Sequence, residues 1–94
     1  MTKVAVILHR SLHVEGEKFE FQNEFTNISL LGAITELLKK SKELSAACLE
    51  NGRKKPGLLY FSNKVELSSL GLLETNVDDA GDTIIRIVPI LHGG

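Results

Sequence analysis

The sequence ends in two glycines, Gly93 and Gly94, which follow Leu91 and His92 at the end of an apolar run. Glycine has no Cβ atom, so such an ending can enter a channel that would exclude larger residues. The group delivered would be the carboxylate of Gly94. A carboxylate is a poor electrophile until AMP from ATP is attached to it as a mixed anhydride. The chain has no glycine-rich phosphate loop, so we expect a partner enzyme to use the ATP and this chain to bind no cofactor.

The remaining reactive side chains give little support for catalysis by the chain itself. Cys48 is the only cysteine, and its helical context predicts a buried apolar side chain. His9 and His13 lack the spacing of a zinc site. The acidic segment at 78–82 lacks the ligand spacing of a calcium loop and is predicted to form a turn. We therefore expect no metal site and no enzymatic activity.

Length and charge restrict the architecture and the partners. Ninety-four residues suffice for one domain over 1–94, with a flexible tail predicted from about residue 89 to 94. The formal net charge is only −1, which argues against direct binding of nucleic acid or an anionic membrane. The apolar segment Val4–Leu8 is too short to span a membrane. The lack of a disulfide framework favours a cytoplasmic location.

Apolar periodicity predicts a mixture of strands and helices. Helical spacing runs from Leu30 to Leu38 after the capping oxygens of Asn27 and Ser29. A shorter helix is predicted at 43–49, closed by Asn51-Gly52. An irregular segment at 68–76 is expected to be anchored by Leu70, Leu72 and Leu73. Strands are predicted at 4–8, 18–22, 58–61 and 83–88, with a short extended piece at 65–67.

The first and last strands are apolar on both faces, which is typical of central positions in a sheet. Each needs a buried neighbour, and a parallel pairing between them across one helix would supply it. The predicted fold class is α+β. Its architecture is a β-grasp mixed sheet with one main helix packed on one face and a C-terminal Gly-Gly tail.

Three segments carry a resemblance to a known family. They are Lys55–Asn63 with its Pro-Gly strand and asparagine turn, Gly81-Asp82-Thr83 after an acidic turn, and the ending Leu91–Gly94. The chain resembles the ubiquitin-like sulfur carriers: the small subunit of molybdopterin synthase, the thiamine-pathway sulfur carrier and, most closely, the ubiquitin-related modifier. Pro89 is similar to the prolines in the tail of the synthase subunit, so the ending combines features of two subfamilies.

The resemblance implies a function for the tail. Gly94 would be adenylated by an activating enzyme and converted by a sulfur donor to a thiocarboxylate. That group would serve sulfur transfer, as in tRNA thiolation, or conjugation to lysines of target proteins. Gly93 and His92 would help the tail to thread into the partner. Two alternatives stay open: a small sulfur-carrier subunit that inserts into a synthase large subunit, and a non-covalent β-grasp interaction module.

A surface for partner recognition is predicted on the sheet face away from the helix. In the last strand, the period of two turns Ile85 and Ile87 into the core and their neighbours outward. Leu67 is added because it takes the place of an apolar residue in the family's short strand. Contiguous exposed apolar side chains usually mark an interface. The predicted partner-binding set is Ile7, Leu67, Arg86, Val88 and Ile90.

Overall fold

The computed structural model describes residues 1–13, 16 and 18–90. The described chain forms seven strands, three α-helices and two 3-10 turns. In chain order these are β1 (Thr2–Leu8), a 3-10 turn (Arg10–Leu12), β2 (Glu20–Phe25), α1 (Leu30–Leu38), α2 (Lys42–Cys48), β3 (Leu49–Glu50), β4 (Arg53–Lys54), β5 (Leu58–Ser62), β6 (Val65–Glu66), a second 3-10 turn (Leu72–Glu74), α3 (Val77–Ala80) and β7 (Thr83–Pro89).

Five of the strands form one mixed sheet in the order β2-β1-β7-β5-β6. The first and last strands in chain order, β1 and β7, are neighbours in this sheet. They pair in parallel from Val4 opposite Thr83 to Leu8 opposite Ile87. The other pairings in this sheet are antiparallel. The predicted pairing of the two chain ends is therefore confirmed, and β7 occupies the middle of the sheet.

The edge strand β2 differs from its predicted bounds. It begins at Glu20 rather than residue 18 and continues to Phe25, where it pairs with Thr2. The alternation of polar and aromatic residues weakens after Gln22, so the sequence pattern ends early. Backbone pairing along the whole of β1 extends the strand, because tertiary contacts override a weak local pattern.

The main helix begins and ends where its sequence predicts. The Ser29 hydroxyl accepts a hydrogen bond from the backbone N–H of Gly32 at 3.0 Å, which caps the first turn of α1. The helix ends at Leu38, and its C-cap is Lys39, whose charge suits the negative end of the helix dipole. Its apolar stripe packs against the inner side chains of β1, β5 and β7 to form the core. The buried residues of this stripe are Leu30, Ala33, Ile34, Leu37 and Leu38.

Short local structures account for the other differences. Asn51 and Gly52 both adopt positive φ, at 53° and 76°, and form the turn between β3 and β4 rather than the end of α2. The acidic segment predicted as a turn forms α3, followed by Gly81 at a φ of 76°. Among the predicted anchors, Leu73 is buried, whereas Leu70 and Leu72 are 64% and 39% exposed and the prediction for both is wrong. No helix in the described ranges is long and apolar enough to cross a membrane.

Candidate functional site at the carboxyl end of the central strand

The central strand β7 remains paired with β5 up to its carboxyl end. Pro89 lies opposite Leu58 in the antiparallel pairing of β7 with β5. One residue further, the backbone N–H of Ile90 donates to the carbonyl of Gly57 at 2.8 Å. Regular pairing thus holds the chain through Ile90, past the predicted start of the tail at residue 89. The predicted tail residues Leu91, His92, Gly93 and Gly94 lie outside the described residues.

The side chains of β7 alternate between the core and the sheet face opposite α1, which we call the outer face. Ile85 and Ile87 are fully buried, as their spacing predicts. The residues that alternate with them face outward: Ile84 is 57% exposed, Arg86 is exposed and Val88 is half-buried. The predicted register of the last strand is therefore confirmed, and its outward residues are mainly apolar.

Two further predicted binding residues lie on or next to the outer face. Ile7 pairs with Arg86 across the β1–β7 ladder and is half-buried. Ile90, directly after β7, is 44% exposed. With Val88, these residues form an apolar path that leads along the central strands toward the tail. Their role in binding a partner stays a prediction.

The placement of Leu67 on this face is wrong. Leu67 is only 6% exposed and belongs to the core. Its backbone N–H donates to the carbonyl of Tyr60 at 2.8 Å, which continues the pairing of β6 with β5 and places Leu67 opposite Tyr60. Directly opposite residues of paired strands share a face, and Tyr60 is fully buried, so Leu67 faces the core. Leu67 therefore contributes to the stability of the core and is not part of the candidate interface.

The neighbouring strand β5 supplies apolar residues that the sequence analysis omitted from the interface. Leu59 pairs with Val88, and Phe61 pairs with Arg86, so their side chains share the outer face. All of Leu58–Phe61 is apolar or aromatic, and a period of two cannot then indicate which face is outward. Beside β6 this face carries a shallow hollow. Its lining residues are Phe61, Asn63, Lys64, Ile84, Arg86 and Val88.

The carboxylate of Glu66 fixes the loop that follows β6. Glu66 accepts hydrogen bonds from the backbone N–H groups of Tyr60 and Ser69, both at 2.8 Å, and from the Ser68 hydroxyl at 2.6 Å. Desolvation would raise the pKa of Glu66, but the hydrogen bonds from Ser68, Tyr60 and Ser69 together lower it to about 2. Its side chain thus acts as an acceptor for β5 where the short β6 offers few backbone groups.

Further acidic side chains and the cysteine stabilise the fold through hydrogen bonds or burial. Asp82 accepts from the backbone N–H of Lys3 at 3.0 Å, and Asp78 accepts from that of Asn27 at 2.9 Å. In the part of the chain that the structure describes, no three His, Cys, Asp or Glu residues are arranged to hold a metal. Burial raises the pKa of the Cys48 thiol, although nearby Lys55 opposes this. A neutral buried thiol is a poor nucleophile.

Comparison with known proteins gives likeness in structure only. No protein-family model and no curated protein sequence matches the chain. A chain in the crystal structure of the BexX/CysO complex from Amycolatopsis orientalis is 22% identical, with a TM-score of 0.59, and the match covers 97% of this chain and 99% of that chain. The solution structure of the HVO 2177 protein from Haloferax volcanii is 16% identical, with a TM-score of 0.65, over 99% of this chain and 87% of that one.

These likenesses extend over nearly the whole length of the chain and identify its fold. It is the β-grasp fold, with a five-stranded mixed sheet and α1 packed across one face. The predicted fold class is confirmed. At these identities the comparisons define the class of structure, and the chemistry of the chain has to be argued from its own residues.

Proposed function

We propose that this chain is a ubiquitin-like protein modifier and sulfur carrier whose Gly94 carboxylate is activated by a partner enzyme. The observation that carries the proposal is the position of β7. This strand lies in the middle of the sheet and is paired through Ile90, so a rigid element leads directly to the Gly-Gly sequence. Gly94 is the fourth residue after Ile90, so it can lie at most about 14 Å from Ile90.

The proposed activation needs only the carboxylate from this chain. A carboxylate oxygen of Gly94 attacks the α-phosphorus of ATP, pyrophosphate leaves, and an acyl-adenylate forms. A donor of sulfur at the oxidation level of sulfide then attacks the carbonyl carbon, and AMP leaves with the electron pair of the broken C–O bond. The product is a thiocarboxylate. Its sulfur can displace an oxygen leaving group from an activated carbon of an acceptor such as a tRNA, after which hydrolysis of the acyl–sulfur bond returns the Gly94 carboxylate. Alternatively, a lysine amine attacks the carbonyl carbon, hydrogen sulfide leaves and an amide forms.

The outer face is the surface that best suits docking of the activating enzyme. Ile84, Val88 and Ile90 expose apolar surface along the strand that leads to the tail, and Arg86 lies among them. A partner that covers this face would hold the tail in a fixed direction relative to its channel. The BexX/CysO complex, a two-protein assembly that contains a similar fold, supports this kind of association.

ATP–pyrophosphate exchange tests the proposal. The enzyme is purified from the native cell by its exchange activity with the wild-type chain. Deleting Gly94, or adding one alanine after it, should abolish exchange while the melting temperature stays unchanged, because the paired strands end before these residues. One alanine added before Met1 is the matched control and should leave exchange intact. Undiminished exchange by the chain that lacks Gly94 would contradict the proposal.

A further inference from the structure

Positive charge collects around the end of the central strand. On one side, the backbone N–H of His9 donates to the carbonyl of Ile87 at 2.9 Å, and Arg10 follows directly. On the other side, Lys55 precedes Pro56 and Gly57, and Gly57 accepts the hydrogen bond from Ile90. We call the four cations of these two segments, Arg10, Arg53, Lys54 and Lys55, the collar.

The contacts made by the collar leave its charge available. Arg10, Arg53 and Lys54 are exposed, and Lys55 is half-buried. The Lys54 ammonium lies 5.7 Å from the centre of the Tyr60 ring, and the Lys55 ammonium donates to the Ala46 carbonyl at 3.4 Å. Both contacts orient a cation without neutralising it. Glu50, opposite Arg53 in the β3–β4 hairpin, offsets part of the charge.

The opposite end of the sheet is acidic. Asp78 and Asp79 lie in α3, Asp82 directly precedes β7, and all three are exposed. Glu24, also exposed, pairs with Lys3 near the beginning of β1. The seven residues of β7 span about 20 Å, which exceeds the Debye length of about 8 Å at physiological salt. A partner at one end therefore senses that end alone, although the whole chain has a net charge of only −1.

We propose that the collar docks on an acidic surface around the channel of the activating enzyme, an inference that rests on the proposed function. The charges flank one strand end on two sides, which suits the rim of a channel that receives the tail. The net charge of only −1 also does not favour a nucleic-acid partner. The collar would steer the tail end toward the partner and the acidic end away from it, so it acts chiefly on the association rate.

The test compares two double variants that lose the same charge. Arg53→Gln with Lys54→Gln alters the collar. Lys39→Gln with Lys40→Gln is the control, because these two exposed lysines follow α1 and lie away from the outer face. Association with the activating enzyme, purified as described for the exchange assay, is measured by stopped-flow over a range of salt concentrations. The collar variant should associate about fivefold more slowly at low salt, with a weaker salt dependence. Exchange at saturating protein and the melting temperature should stay near the wild-type values.

The outcomes separate the two proposals. If wild-type and control proteins support exchange and the collar variant associates as fast as the control, the collar proposal is overturned and the proposed function stands. If exchange persists without Gly94, the proposed function fails, and the collar proposal fails with it. A third outcome is that the collar variant binds a 20-nucleotide RNA more weakly than the control does, while its association with the enzyme is unchanged. This result would assign the collar to nucleic-acid binding and would also overturn the collar proposal.

Discussion

Glu66 shows how one side chain can replace missing backbone structure. The strand β6 has two residues, so it offers β5 few backbone partners. The Glu66 carboxylate takes their place by accepting from the backbone N–H of Tyr60, while it also holds Ser68 and Ser69 in the following loop. Hydrogen bonds to a charged acceptor are stronger than those to a neutral one. The ionised form of Glu66 should therefore stabilise this corner of the fold.

The stabilisation by Glu66 should depend on pH. Its pKa of about 2 in the folded chain lies below the ordinary value of 4.5, so its contribution is full above pH 4.5 and is lost as the pH falls toward 2. Glu66→Gln should lower the free energy of unfolding by about 1 to 2 kcal/mol at pH 7. The difference from wild type should shrink between pH 5 and pH 2. Urea unfolding at several pH values measures this.

Glu74→Gln is the control for that experiment, since Glu74 is an exposed carboxylate in the second 3-10 turn. It should change the free energy of unfolding little at any pH. A difference between wild type and Glu66→Gln that stays constant down to pH 2 would contradict the role given to the Glu66 charge.

Residue-scale predictions succeed where the partner is close in sequence. Ser29 caps α1 through Gly32, three residues away, and the capping pattern predicts this contact. The partners of Glu66 include Tyr60, which comes close only after the chain has turned between β5 and β6. The burial of Leu67 depends on the same turn. Neither outcome can be derived from the pattern of neighbouring residues.

At the scale of the element, β7 has the dual role of core strand and path to the tail. Its inward residues Ile85 and Ile87 are fully buried, and its outward residues Ile84 and Val88 retain exposed apolar surface. Neighbouring residues of one strand should therefore respond differently to the same substitution.

We expect Ile87→Asp to unfold the chain, because it places a carboxylate without a partner in the core. Val88→Asp should change the free energy of unfolding by only about 1 kcal/mol. The same change should cost at least about 2 kcal/mol of affinity for the activating enzyme, about thirtyfold, because binding would desolvate the charge. Melting temperature and titration with the enzyme give both quantities. A folded Ile87→Asp protein with an unfolded Val88→Asp protein would show that the strand register is inverted.

Elements with strong periodicity are the ones that the sequence predicts well. β1, α1 and β7 are recognisable because each buries a long apolar set. The β3–β4 hairpin has two residues per strand and no apolar alternation. Only its Asn51-Gly52 turn is therefore recognisable in the sequence. In β5, apolar residues on both faces conceal the outward direction of Leu59 and Phe61.

For the whole molecule, two apolar strands at opposite ends of the chain largely determine the architecture. Their parallel pairing places β7 in the centre of the sheet and requires α1 to cross one face.

The separation of positive and negative charge cannot be predicted from the composition. Composition gives a net charge of −1, and only the folded arrangement shows cations around the tail end and acids at the other end. Total charge therefore indicates little about the electrostatic field that a partner meets.

The most direct test of the central claim is the intact mass of the protein purified from its native cell under conditions that preserve thioesters and thioacids. We expect a population whose mass exceeds the unmodified chain by the exchange of one oxygen for sulfur, located by fragmentation at Gly94. Conjugates joined through Gly94 to lysines of other proteins would further support the role as a modifier. A protein that carries only an ordinary carboxylate at Gly94, in cells that actively use the chain, and that forms no conjugate would contradict the account.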